Sequence, residues 1–152
     1  TCSHAGEVVG AVICGMGGTL MVRLLQTSYA VWQSLKFVVL QPQSDAGALR
    51  RYLYEHGWHI EDEQLVIDDG RLYELMRAVP GQAGALPDWI YDIGPVNWQR
   101  RDPLLSRKID ILMETKGHIL EGLKKSRKDV HERMEKIESE LRFWRELKWQ
   151  LQ

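Results

Sequence analysis

The chain has 152 residues, of which 44% are hydrophobic and 27% are charged, and its net charge at pH 7 is −1. These values are typical of a globular domain and exclude both a disordered chain and a uniformly basic nucleic-acid-binding protein. No apolar run reaches the ~18 residues needed to span a membrane. With only two cysteines there is no disulfide framework, so we expect a cytoplasmic protein.

The first predicted element is an apolar strand over residues 8–14, which ends at the sequence Gly15-Met16-Gly17-Gly18. A continuous apolar run rich in β-branched residues is typical of a strand buried on both faces of a parallel sheet. We therefore expect Cys14 to be a small buried residue. The glycines permit a sharp turn and the close approach of another group. The amides of a helix predicted over residues 18–32 then lie where open α/β sheets bind ligands.

The same pattern is also explained by a tight strand-to-helix turn without a ligand. The spacing GxGG is weaker evidence than a full dinucleotide-binding fingerprint, because the rest of GxGxxG is missing. Spacing alone leaves both interpretations open.

A second buried strand is predicted over residues 36–41, and Pro42 ends it. A helix then begins near Asp45, a residue type common at helix N-caps, and stops at Gly57. Two strands separated by one helix can be parallel through a right-handed crossover. The pattern to this point predicts an α/β fold.

A β-hairpin follows. Two β-like segments, residues 58–67 and 71–79, are separated by Asp68-Asp69-Gly70. Asp-Gly between such segments is a strong short-range hairpin signal. The hairpin adds an antiparallel strand to the sheet.

Residues 80–103 hold four of the five prolines and connect a domain over residues 1–100 to a tail over residues 101–152. The tail has no proline beyond Pro103, and apolar residues recur at heptad-like spacing from Val130 to Trp144. We predict a helical hairpin, or coiled coil, with a turn near residues 126–129; a continuous helix also fits. The tail carries a net charge of +3, against −4 for the first 100 residues. Either RNA contact or a solvated helix face accounts for that charge.

Four segments of the chain match the motifs of one known family, in the same order. Val12 to Gly18 resembles an apolar strand ending in AGMGG, and Leu40-Gln41-Pro42 with Leu49-Arg50 and Gly57 resembles LQPN…LR…L…G. Asp69 to Glu74 resembles DGK-x-YE, and Ile93-Gly94-Pro95 with Pro103-Leu104 resembles a GP…P junction. Together the segments resemble those of bacterial tRNA (adenine-22, N1)-methyltransferases of the TrmK type. Gln43 replaces the family's asparagine after LQP, and Cys14 replaces an alanine.

The resemblance implies the C-terminal half of a class I, Rossmann-like methyltransferase sheet with an α-helical coiled-coil appendage. It implies transfer of a methyl group from S-adenosyl-L-methionine to N1 of adenine 22 in tRNA. The strands here correspond to the family's strands four to seven. The first three strands hold most of the cofactor in such enzymes and are not in this chain, so we expect the chain alone to be an inactive fragment.

Two sets of site residues follow from the resemblance. Gly15, Met16, Gly17 and Gly18 are expected to border the cofactor and the target base, although core packing also explains Met16. The residues expected to contact RNA are Gln41, Pro42, Arg50, Lys124, Lys125, Arg127 and Lys128. Strand termination equally explains Gln41 and Pro42, and solubility explains Arg50.

No catalytic acid or base is identified, and the histidines lack the spacing of metal ligands. We expect the first strand to have an unpaired edge, which would pair with further strands or make the chain a homo-oligomer. The alternative to an enzyme is a non-catalytic module that binds RNA or protein.

Overall fold

The computed structural model describes residues 8–126 and 129–151. Within these ranges the chain forms four strands and seven helices. In chain order they are β1 (Gly10–Met16), α1 (Gly18–Thr27), α2 (Tyr29–Gln33), β2 (Phe37–Pro42), α3 (Ala46–Glu55), β3 (Trp58–Asp68), β4 (Arg71–Pro80), α4 (Asp88–Ile93), α5 (Pro95–Gln99), α6 (Leu105–Lys124) and α7 (His131–Trp149).

The strands form one mixed sheet in the order β1-β2-β4-β3. β1 and β2 are parallel, whereas β4 is antiparallel to both β2 and β3, which confirms the predicted α/β order. The hairpin turn is confirmed as well. Asp69 has φ 46° and Gly70 has φ 74°, the two positive values that a type I′ turn requires.

One face of the sheet carries the core of this unit. Val38 and Leu40 of β2 lie opposite Ala78 and Met76 of β4, and all four are at most 1% exposed. Large side chains from the helices complete this core, among them Met21, Leu25, Trp32, Leu49 and Leu53. The α/β unit is therefore held by a continuous apolar core on that face.

The prediction that the first strand is buried on both faces is wrong. β1 lies at an edge of the sheet; Val12 is 68% exposed, and Cys14 is exposed as well. Leu75, on the same face of the sheet, is exposed too. An apolar run shows only that a strand favours burial, and burial on both faces also requires a layer of structure packed against each face.

The prediction of one helix over residues 18–32 and the prediction of a connecting segment over residues 80–103 also need correction. The helix predicted over residues 18–32 is divided at Ser28 into α1 and α2, and the backbone N–H of Ser28 donates to Leu24 O at 3.0 Å. The connecting segment 80–103 contains α4 and α5, separated by Gly94 with φ 98°. Pro95 occupies the first turn of α5, where its missing N–H costs nothing.

A buried ion network joins α3, the hairpin and the α4–α5 segment. Arg50 is 0% exposed, and its guanidinium donates to Glu63 at 3.0 Å, to Glu74 at 2.8 Å and to Tyr91 O at 2.9 Å. The second oxygen of Glu63 accepts from the backbone N–H groups of Val96 and Asn97. Burial lowers the pKa of Arg50, but the charges of Glu74 and Glu63 outweigh burial and raise the pKa above its ordinary value.

This network overturns the expectation that Arg50 contacts RNA. A guanidinium with no exposed surface, and with all its contacts inside the fold, has no access to a phosphate. The network instead fixes the hairpin against α3 and holds the backbone of α5 in place.

The second compact unit begins at Pro103 and is a helical hairpin, as predicted. α6 and α7 share a small core in which Leu120, Ile137 and Leu141 are each 8% exposed. The ion pairs Lys116–Glu140 and Lys148–Asp110 show that the two helices run antiparallel. None of the helices that the structure describes is both long enough and apolar enough to cross a membrane.

Candidate functional site

The carboxyl ends of β1 and β2 lie at the same edge of the sheet, because the two strands are parallel. Two loop segments lie there, residues 15–18 and residues 41–45, each of which includes the end of its strand and the connection to the next helix. Two backbone hydrogen bonds join them directly: Gln43 N–H donates to Met16 O at 3.0 Å, and Gly18 N–H donates to Ser44 O at 2.7 Å. This paired-loop rim is where open α/β sheets place their ligands.

A β-bulge at Gly15 shapes the rim. The pairing of β1 with β2 shifts register between Cys14 and Met16, and Gly15 has φ 79°. Without the bulge, side chains would alternate between faces and Met16 would share the open face with Cys14. With it, Cys14 and Gly15 are both exposed, and Met16 turns towards the core. Bulges of this kind are frequent beside active sites, where they redirect a strand.

The space at Gly15 is open, and the space at Gly18 is closed. A Cβ on Gly15 would meet no atom within 4 Å, whereas a Cβ on Gly18 would lie 2.4 Å from the backbone oxygen of Asp45. Gly18 therefore lacks a side chain because the two loops touch. Gly15 presents bare backbone to solvent, which a planar group can approach.

Asp45 holds the second loop in a strained conformation. It occupies the N-cap position of α3, as predicted, and has φ 52°. Its side chain makes no capping hydrogen bond to the helix. The carboxylate instead accepts hydrogen bonds from Ser44 Oγ at 3.0 Å and Thr19 Oγ1 at 3.4 Å. A positive φ outside glycine is a feature that clusters at functional sites.

The predicted cofactor residues have different environments. Gly15 is exposed, Gly17 is half-buried and Gly18 is buried against the neighbouring loop. Met16 packs on the main core, which agrees with the core-packing alternative for this residue. Gly15 is thus the residue of this set with the most open surroundings.

The predicted RNA residues have different environments, each within its own unit. Pro42 is buried at the end of β2, which fits strand termination and contradicts RNA contact. Gln41 is half-buried, and its side chain accepts a hydrogen bond from Gly15 N–H at 3.0 Å. Lys124 and Lys125 are exposed, and a hydrogen bond with Glu121 raises the pKa of Lys124. Arg127 and Lys128 lie outside the described residues.

One exposed surface was not predicted. Trp149 is 76% exposed on α7, and Arg142 and Arg145 precede it at helical spacing on the same face. Neither arginine forms an ion pair with any residue that the structure describes. The spacing of three residues from Arg142 to Arg145 and of four residues from Arg145 to Trp149 is the sequence signal that could have identified this exposed surface.

The chemistry available at the rim comes from backbone and amide groups. In the described ranges no group of three or more His, Cys, Asp or Glu side chains is placed to hold a metal ion. The rim instead offers exposed glycine backbone, the Cys14 thiol and the Gln41 amide. Such a surface suits the positioning of a planar ligand.

Comparison with known proteins gives a consistent result. The family model described as tRNA (adenine(22)-N(1))-methyltransferase matches residues 4–146. The tRNA (adenine(22)-N(1))-methyltransferase of Bacillus subtilis (strain 168) is 32% identical over 85 residues, which make up 56% of this chain and 36% of that protein. This chain therefore spans about a third of the curated relative.

Solved structures share the fold. That of the B. subtilis m1A22 tRNA methyltransferase has a TM-score of 0.79 at 21% identity, covering 93% of this chain and 64% of the other. A candidate tRNA (m1A22) methyltransferase from Streptococcus pneumoniae, crystallised with S-adenosyl-L-methionine, has a TM-score of 0.76 at 24% identity, covering 92% and 60%.

Proposed function

This chain belongs to the tRNA (adenine(22)-N(1))-methyltransferase family, and we propose that the gene product containing it methylates N1 of adenine 22 in tRNA. S-adenosyl-L-methionine is the proposed methyl donor. The observation that carries the proposal is the paired-loop rim with its open glycine, in a chain whose sequence matches the family over residues 4–146. We further propose that the protein acts in the cytoplasm, where its tRNA substrate is made.

The rim fits one wall of a site for the cofactor and the target base. Exposed backbone at Cys14 and Gly15 would border the bound groups, and Gln41 would support that backbone. Met16 and Gly18 would support the rim without touching the bound groups, because Met16 packs on the core and Gly18 contacts the neighbouring loop. When bound, the cofactor supplies an electrophilic methyl group on a sulfonium.

The chemistry requires positioning more than proton transfer. The lone pair of adenine N1 lies in the ring plane and carries no proton, so no general base has to remove one first. N1 must lie in line with the methyl group and about 3 Å from it, in a site sheltered from water. It is also engaged in pairing within a duplex, so the base must be unpaired or flipped out. A rigid rim of backbone atoms suits this task.

The helical unit is the proposed tRNA-binding element. Lys116, Lys124 and Lys148 are engaged with acidic partners. Arg142 and Arg145 form no ion pair with any residue in the described ranges, and they lie on the same face of α7 as the exposed ring of Trp149. Arginine binds phosphate groups, and a tryptophan face stacks on an unpaired base.

Charge reversal should locate this contact. We expect Arg142→Glu with Arg145→Glu to weaken tRNA binding and to reduce the salt dependence of the binding constant by about two phosphate contacts. Trp149→Ala should cost about tenfold in affinity. Fluorescence anisotropy of labelled tRNA between low and physiological salt measures both effects. The matched control is Arg133→Glu with Lys136→Glu, which makes the same charge change elsewhere on α7. Equal losses in both pairs would show that net charge alone matters.

The open edge of β1 is a proposed pairing site. An exposed edge carrying Val12 invites another strand, either from elsewhere in the gene product or from a second copy. The 152-residue chain alone should therefore dimerise or aggregate as its concentration rises. Sedimentation velocity that shows a monomer throughout would contradict this pairing.

The functional test is methyl transfer by the gene product that contains this chain. With unmodified tRNA and radiolabelled S-adenosyl-L-methionine, we expect label in the tRNA. Tight tRNA binding without any label would favour the alternative, a non-catalytic RNA-binding module.

A further inference from the structure

The amide of Gln41 completes the bulge at Gly15. In a regular parallel pair the N–H groups of alternate residues bond to the neighbouring strand, but the register shift between Cys14 and Met16 interrupts that ladder. The side chain of Gln41 replaces the missing partner, since its Oε1 accepts from Gly15 N–H at 3.0 Å. The bulge is therefore held by a side chain from the adjacent strand.

The other end of the same amide is also anchored. Nε2 of Gln41 donates to the backbone oxygen of Pro42 at 3.4 Å. An amide has distinct donor and acceptor ends, and here each end faces a group of the opposite kind. The two contacts fix which way the Gln41 side chain points, and so they fix the loop that it supports.

The bulge decides what the rim exposes. It places Cys14 and Gly15 side by side on the open surface and turns Met16 to the core. Without it, a methionine side chain would occupy the open face where Gly15 now leaves free space. A ligand at this edge depends on that free space.

We propose that Gln41 is a positioning residue for methyl transfer: it acts on the reacting groups through the Gly15 backbone and does not bind RNA itself. This inference rests on the proposed function for its catalytic part. Its structural part, the bond from Gly15 to Gln41, stands independently.

Three variants separate these roles. Gln41→Met keeps the size of the side chain and removes the acceptor. Gln41→Glu keeps an acceptor oxygen and removes the donor to Pro42. Gln43→Met is the matched control, because Gln43 is exposed on the same loop and joins the rim through its backbone.

The first readout is hydrogen exchange at the Gly15 amide, followed by NMR with glycine-selective labelling. Loss of one hydrogen bond should speed exchange about tenfold in Gln41→Met. Gln41→Glu and Gln43→Met should stay close to the unmodified protein. Unchanged exchange in Gln41→Met would overturn the proposal whether or not the protein is a methyltransferase.

The second readout is steady-state kinetics of the gene product on tRNA. We expect kcat to fall about tenfold in Gln41→Met, with KM for tRNA unchanged and with substantial recovery in Gln41→Glu. A rise in KM for tRNA at constant kcat would instead make Gln41 an RNA contact and overturn the positioning role. No methyl transfer by the unmodified protein would refute the proposed function, and the exchange experiment would still decide whether Gln41 holds the loop.

Discussion

Replacing Arg50 with methionine should destabilise the α/β unit by about 3–5 kcal/mol. The substitution removes the guanidinium that binds Glu63 and Glu74, and it leaves the carboxylate of Glu63, which is 3% exposed, as a buried charge without its ion-pair partner. A buried charge that loses its partner destabilises the fold far more than the loss of a surface ion pair does. Urea denaturation followed by circular dichroism measures the change in the free energy of unfolding.

Two controls show whether charge is the cause. Arg51→Met removes an adjacent arginine that is partly exposed and pairs with Asp88 at the surface, and it should cost at most about 1 kcal/mol. Adding Glu63→Gln to Arg50→Met removes the buried charge that lost its partner and should recover part of the lost stability. If this double variant is less stable than Arg50→Met, then packing and hydrogen bonds dominate this site instead of charge.

Replacing Gly18 with alanine should have the largest effect on the rim. The new Cβ would lie 2.4 Å from Asp45 O and 2.8 Å from Ser44 O, both of which are backbone atoms. The two loops must then separate, and overpacking of this kind costs about 1–3 kcal/mol. A displacement of about 1 Å in groups that position reactants lowers rates about 100-fold. The expected result is thus a large loss of methyl transfer with a modest loss of stability.

Gly17→Ala is the matched comparison for this prediction. Its Cβ would approach only the hydroxyl of Ser44, at 2.9 Å, which can rotate away, and Gly17 has an ordinary φ of −65°. Thermal unfolding and methyl-transfer rates should therefore change little. Equal activity in Gly17→Ala and Gly18→Ala would show that the contact between the loops does not organise the site.

The elements predicted correctly depend on local signals. The hairpin follows from Asp69-Gly70, whose residues tolerate positive φ, and β2 follows from a short apolar run. Helix α7 follows from its heptad-like spacing, and Ile137 and Trp144 are buried as that spacing predicts. Each signal is contained within a single turn, strand or helix, so sequence alone was sufficient.

The features that were missed depend on contacts between distant residues. The burial of Arg50 requires carboxylates 13 and 24 positions further along the chain, and a helical arginine gives no sign of them. The exposure of Val12 on β1 depends on what packs against that face of the sheet, not on the composition of the strand. The bulge at Gly15 is stabilised by Gln41, 26 residues away. Sequence periodicity predicts which side chains share a face of a helix or strand, but it does not predict which other element packs against that face.

The most direct measurement is the identity and position of the methylated nucleoside. The gene product containing this chain is incubated with S-adenosyl-L-methionine and unmodified tRNA, and the digested tRNA is analysed by mass spectrometry against a tRNA with guanine at position 22. We predict 1-methyladenosine in the first tRNA and none in the second. Methylation of both tRNAs, formation of 6-methyladenosine, or no methylation despite bound cofactor and tRNA would contradict the assignment.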